Sequence, residues 1–147
     1  MNVNPYLSFN GQCREAFELY ASCFEGSITF IVPWGETPAA ETVPPDWQSK
    51  IIHATLLLGG QTLQGADAPP GQYEAPKGFS LSLTAKDEAE AKRFFELLAE
   101  GGAIRMPVQQ TFWAPAFGML VDRFGIPWMI QCGRFSVDDS VWMVQCG

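Results

Sequence analysis

The strongest constraint on this chain is a succession of two periodicities that occurs twice. FSLSLTA, at residues 79–85, alternates with period two, the mark of a half-buried strand. KDEAEAKRFFELLAEGG follows at 86–102 with the period of a helix. Ala91, Phe94, Phe95 and Leu98 form its apolar face. Asp87 with Glu90 resembles a capping box, and Gly101-Gly102 supplies a stop. AIRMPVQ, FGMLVD and IPWMIQC then read as three strands. The same order appears earlier. VNPYLSFNG is a strand ending in an Asn-Gly turn. QCREAFELYASCFEG places Ala16, Phe17, Tyr20 and Phe24 at helical spacing, with Gly26 as its stop. SITFIVPW is a second strand, and KIIHATLLLGGQTLQGAD gives two more around Gly59-Gly60. This order predicts an α+β fold of two β-α-β-β-β modules, at about 3–67 and 77–133. Side by side, they would form a curved eight-stranded mixed sheet with the helices on its outer face. Residues 1–133 make one domain on this reading, with a turn-rich linker, ADAPPGQYEAPKG, between the modules.

Composition narrows the partners. The 147 residues are 47% hydrophobic and 17% charged, enough for one domain with a core. A net charge of -7 without a basic stripe argues against a nucleic-acid partner. No apolar run reaches the roughly 18 residues that span a bilayer, so no membrane is expected. The start, MNVNPYLSFNG, lacks the features of a signal peptide, and the expectation is a cytoplasmic protein. Cys13, Cys23, Cys132 and Cys146 form no C-x-x-C pair. Cys13 falls in a helix's first turn, where the dipole lowers a thiol pKa; the plainer reading is a small semi-buried residue. The other three read as core or surface thiols. WMIQCG at 128–133 recurs as WMVQCG at 142–147, so residues 134–147 form an extension outside the two modules. It could add an edge strand, extend across a dimer, or be an unstructured by-product of a small duplication.

Three stretches together, PYLSFNGQCREAFELYASCFEG, ETVPPDWQSKIIHATLLLGGQTLQGAD and QTFWAPAFGMLVDRFGIPWMIQC, resemble the PhnB-like branch of the vicinal-oxygen-chelate superfamily. That superfamily holds glyoxalase I, antibiotic-resistance proteins and extradiol dioxygenases. This branch often carries a demethylubiquinone-methyltransferase-like label. The resemblance covers about residues 3–133. It implies paired modules, a cleft inside the curved sheet and a homodimer; activity does not follow from fold. Metal-binding members draw His, Gln or Glu from the first and last strands of each module. Matched strand by strand, those positions fall at Asn4, Gln64, Gly78 and Met129, with a one-residue slip giving Pro5, Phe79 or Trp128. Gly and Met do not replace a His and a carboxylate, so no metal ligand and no cofactor are predicted. A divalent metal would need non-standard ligands.

Parity along the strands names the candidates for the cleft. His53, the one histidine, shares a strand face with Thr55 and Leu57, opposite Ile52, Ala54, Leu56 and Leu58. It is a general base, a polar anchor for a ligand, or a hydrogen-bonded strand histidine. Ser80, Ser82 and Thr84 face the cleft on the same argument, with Phe79, Leu81 and Leu83 toward a helix. Gln64, Met129 and Gln131 also point inward. Such a lining suits a small, weakly polar ligand, or else a side-chain-filled interior without one. Glu36, Glu41 and Asp46 lie in the long Pro-rich loop, a possible lid, and Glu36 is a weak catalytic candidate beside His53. Trp113 stacks on a planar ligand or pins its loop. No G-x-S-x-G, P-loop or G-x-G-x-x-G occurs, and no Gly-rich loop for S-adenosylmethionine opens a helix. Three functions compete: a metal-independent small-molecule binder, a metal-assisted lyase or isomerase, and a dimeric interaction protein with a vestigial cleft.

Overall fold

The computed structural model describes the backbone of residues 1–138 and 141–145, and the side chains of residues 1–133. The chain divides into two compact units, one up to Ala75 and one from Pro76 on. Module 1 contains β1 (Tyr6–Phe9), α1 (Cys13–Phe24), β2 (Ser27–Pro33), β3 (Ile51–Leu58) and β4 (Gln61–Asp67). Its sheet runs β1-β4-β3-β2, with β1 parallel to β4 and the other pairs antiparallel. Module 2 repeats the scheme with β5 (Leu81–Ala85), α2 (Glu88–Ala99), β6 (Ala103–Gln109), β7 (Ala116–Val121) and β8 (Pro127–Cys132), ordered β5-β8-β7-β6. The expected α+β pair of β-α-β-β-β modules is therefore observed, as two four-stranded mixed sheets with one helix each.

Each core lies between a helix and one sheet face. α1 buries Cys13, Ala16, Phe17 and Tyr20, and the Phe17 ring meets Phe9 of β1 edge to face at 5.9 Å. α2 buries the expected Ala91, Phe94, Phe95 and Leu98. Removing one of the Phe or Leu side chains from water contributes roughly 1.5–3 kcal/mol. The start of α2 follows the capping logic of its sequence. Asp87 Oδ1 accepts from the Glu90 N–H at 2.8 Å, and Glu90 Oε2 accepts at 2.8 Å from the Lys86 N–H, one residue ahead of the cap.

α1 ends at Phe24, just ahead of the expected stop at Gly26, but the glycine is there for a different reason than its backbone freedom. Gly26 does not take the left-handed position; Glu25 does, with φ 53°. Gly26 is needed for space, because a Cβ there would lie 2.5 Å from the Leu57 carbonyl oxygen. The first strand of module 2 also starts later than its alternation suggests. Phe79 precedes β5 and is 46% exposed, so it does not pack under α2 as parity implied.

The Pro-rich segment between β2 and β3 is three consecutive 3-10 turns, Trp34–Glu36, Pro38–Thr42 and Pro45–Trp47. Gln48 Nε2 fastens it by donating to the carbonyls of Ala40 at 2.7 Å and Val43 at 3.1 Å. In the extension, β9 (Arg134–Asp138) and β10 (Val141–Gln145) pair antiparallel with each other. They form a two-stranded sheet of their own and add no edge strand to either module's sheet. The final two residues of the recurring WMVQCG lie outside the described residues.

Candidate functional site

In module 1 the pairing register places Tyr6, Gln64, Thr55 and Phe30 in one row across four strands. Paired residues in a sheet share a face, and this row lies on the face away from α1. The opposite face is identified by Gly65, where a Cβ would sit 3.0 Å from Phe17 of the helix. His53 lies two residues from Thr55 on the same face, as parity predicted. Its Nδ1 is 3.1 Å from the Tyr6 hydroxyl and its Nε2 is 3.2 Å from Thr55 Oγ1. The Tyr6 and Phe30 rings flank the imidazole at 5.7 and 5.6 Å. The structure thus joins three predicted residues, His53, Thr55 and Gln64, and adds Tyr6 and Phe30, which sequence reasoning missed. Burial first, and the neighbouring Cys13 second, raise the Tyr6 phenol above its ordinary pKa, so it holds its proton at neutral pH.

Glu36 is exposed in the first 3-10 turn, and among the described residues no carboxylate hydrogen-bonds His53. The imidazole's two nitrogens are already engaged, so the acid/base pairing proposed from sequence for Glu36 and His53 is not formed.

In module 2 the equivalent row runs Ser82, Met129, Met119 and Met106. The next row of that face holds Thr84, Gln131, Phe117 and Gln109. α2 lies on the other face, where a Cβ on Gly118 would meet the Phe95 ring at 2.7 Å. Ser82, Met129 and Gln131 therefore share the predicted face, while Ser80 stands one residue outside β5. Trp113 meets Phe117 at 5.2 Å and Phe112 at 4.7 Å, both edge to face, so its loop carries an aromatic ladder. A hollow of about 320 Å³ in module 2, lined by Glu88, Lys92, Gln109 and Gln110 among others, contains none of the sequence candidates.

Two buried carboxylates were not singled out from the sequence. Asp67 Oδ1 accepts from the Cys13 N–H at 2.9 Å, and its Oδ2 accepts from the Ile51 N–H at 2.8 Å. Asp122 Oδ1 accepts from the N–H groups of Phe124 and Ile126, and its Oδ2 accepts from the Trp128 indole N–H at 3.0 Å. Buried acids filled with donors of their own module are structural ties. Asp67 also decides the character of Cys13. Burial, and then the Asp67 carboxylate, push that thiol well above its ordinary pKa, with Arg14 opposing weakly. The helix-dipole activation considered from the sequence is overridden. Cys132, read from the sequence as a thiol, is disulfide-bonded.

The superfamily implies a divalent metal, so its donor set can be tested. Asn4 and Gly78 precede β1 and β5, and the residues actually paired with Gln64 and Met129 are Tyr6 and Ser82. The matching of Asn4 and Gly78 is corrected by two and four residues, because β1 begins only after Pro5 and β5 only at Leu81. The resulting pairs offer a phenol with an amide, and a hydroxyl with a thioether. Neither pair holds an imidazole or carboxylate, and this set does not fit a divalent cation. Among the described residues no three His, Cys, Asp or Glu side chains group around a possible ion.

Two β-α-β-β-β modules, each with one helix on a mixed four-stranded sheet, make up the two-module glyoxalase-like fold. Residues 1–131 match the family described as 3-demethylubiquinone-9 3-methyltransferase, and the chain belongs to that family. It is 37% identical over 139 residues to protein YjdN of Escherichia coli (strain K12), covering 89% of this chain and 95% of YjdN. Protein PA1353 from Pseudomonas aeruginosa is 46% identical with a TM-score of 0.81, over 90% of this chain and 97% of that one. A Bacillus cereus structure described as a putative 3-demethylubiquinone-9 3-methyltransferase, PhnB protein, is 28% identical with a TM-score of 0.77, over 89% and 98%. No helix among the described residues is long and apolar enough to cross a membrane.

Proposed function

We propose that this chain binds a small, weakly polar molecule without a metal, using the sheet faces turned away from α1 and α2. We place it in the cytoplasm as a homodimer. The observation that carries the reading is the donor set at the superfamily's ligand positions, Tyr6 with Gln64 and Ser82 with Met129. These residues suit hydrogen bonding and soft apolar contact rather than coordination. The methyl transfer named in the family's description calls for a cradle for its cofactor, commonly a Gly-rich loop opening a helix. Here the first turn of each helix is tied to a carboxylate of the chain itself, Asp67 at Cys13 and Asp87 at Glu90. That arrangement favours binding over methyl transfer.

The test is metal content and ligand response together. Protein purified without an affinity tag is incubated with Mg, Mn, Ni, Zn and Fe(II), dialysed and measured by elemental mass spectrometry. It is then screened by thermal shift against apolar metabolites and antibiotics. The expected result is no retained metal and stabilisation by a subset of the ligands. Close to one metal per chain surviving dialysis would overturn the reading.

A further inference from the structure

We infer that Tyr6 is the group of module 1 that meets the ligand, and that His53 is a positioning residue behind it that sets whether the phenol donates or accepts. The inference rests on the binding reading above and narrows the ligand to an aromatic compound bearing an oxygen acceptor.

The argument begins with capacity. An imidazole has two polar atoms, and both are used, Nδ1 by the Tyr6 hydroxyl and Nε2 by Thr55 Oγ1. His53 has none left for a ligand. Tyr6 is 51% exposed, and a phenolic oxygen can both donate and accept. Phe30, 52% exposed, stands on the other side of the imidazole. Two half-exposed rings with a hydroxyl at one of them form a surface for a ring carrying one polar atom.

The second step concerns protons. On this face β1 contributes Tyr6, β2 contributes Phe30 and Val32, and β4 contributes Gln64, so Tyr6 and His53 are its titratable groups. With a neutral imidazole, the Tyr6 O–H can donate to Nδ1 and present its lone pairs outward. With an imidazolium, Nδ1–H donates to the phenolic oxygen, and the O–H must turn away from His53. Protonation therefore makes Tyr6 a donor toward the ligand. Its raised pKa keeps the phenol protonated throughout this range. An acceptor-only aromatic should bind more tightly in acid, by about three- to tenfold, the usual worth of one neutral hydrogen bond.

The probes are acetophenone, which accepts but cannot donate, and ethylbenzene, which does neither. Each is titrated by NMR into the full chain and its Tyr6→Phe variant at pH 5.0 and 8.5, with the form of the imidazole at each pH read from its ring nitrogens. Because the protein has a single histidine, its ring nitrogens report in the same samples whether the side chain is still bonded and the fold intact. The expected result is tighter acetophenone binding at pH 5.0, lost in Tyr6→Phe, with ethylbenzene indifferent to pH. Acetophenone binding that is independent of pH, or a preference that survives Tyr6→Phe, would overturn the inference and leave the binding reading standing. Failure of both probes to bind at either pH would remove both.

Discussion

Both modules bury one carboxylate, and the two hold different things together. Asp67, at the end of β4, reaches donors 54 and 16 residues away and joins the start of α1 to the start of β3. Among the described residues, Asp122 takes donors two, four and six residues ahead, in its own β7–β8 hairpin. Asp67 fixes how module 1 is assembled, whereas Asp122 fixes the shape of a turn. The exposed faces differ in the same sense. Module 1 presents a hydrogen-bonded Tyr6–His53–Thr55 chain, and module 2 a row of methionines ending at Ser82. One element order thus carries two chemistries, with the polar tie long-range in one module and local in the other.

The largest test of that contrast is to remove each carboxylate. Asp67→Ala strands two buried N–H groups and should cost about 3–5 kcal/mol. Asp122→Ala should cost less, about 2–3 kcal/mol, because a hairpin turn can open locally to water. Denaturant melts give the totals, and hydrogen exchange gives the location. Asp67→Ala should expose the starts of α1 and β3, and Asp122→Ala only its hairpin. Equal costs with protection lost throughout both modules would erase the distinction.

These ties also show where sequence reasoning stops. The helices were legible because their apolar spacing and caps lie within one segment. Parity along β3 correctly separated His53 and Thr55 from Ala54 and Leu56. The misplaced points lie at the parallel edges. Asn4 and Gly78 were matched to Gln64 and Met129, yet Tyr6 and Ser82 stand beside them, because parallel register is set by neighbours roughly fifty residues away. Tyr6 passed as an ordinary strand former for the same reason, its partner His53 being 47 positions distant. Asp67 takes its donors 54 and 16 residues away, and nothing local reveals them, whereas the donors of Asp122 lie in the turn that follows it, where an Asp ahead of a Gly is a local signal.

Glycine seats sharpen the comparison at a smaller energy. In each module a phenylalanine of the helix rests on a glycine of the sheet, Phe17 on Gly65 and Phe95 on Gly118. The contacts are not equally tight. An added Cβ would lie 3.0 Å from Phe17 and Leu7 at Gly65, but 2.7 Å from the Phe95 ring at Gly118. Gly118→Ala should cost about 2–3 kcal/mol as α2 is forced outward, and Gly65→Ala nearer 1 kcal/mol. Pairing Gly118→Ala with Phe95→Leu should recover part of the loss, which a double-mutant cycle would read as coupling. No coupling would mean that the ring is not what the glycine accommodates.

The smallest effect concerns how the two helices end. α2 is followed by Gly101 at φ 74°, where a side chain is disfavoured. α1 gives the comparable left-handed position to Glu25 at φ 53°, while the adjacent Gly26 is required for its close approach to Leu57. A non-glycine residue in that region carries a backbone penalty, offset partly by the smaller entropy it loses on folding. Glu25→Gly should therefore stabilise the chain by about 0.5–1 kcal/mol, and Gly101→Ala should destabilise it by about 1 kcal/mol. Thermal melts of the two variants and wild type decide the matter. If Glu25→Gly lowers the melting temperature, the glutamate must contribute contacts that outweigh its backbone, and the ends of α1 and α2 would no longer be two solutions to one steric problem.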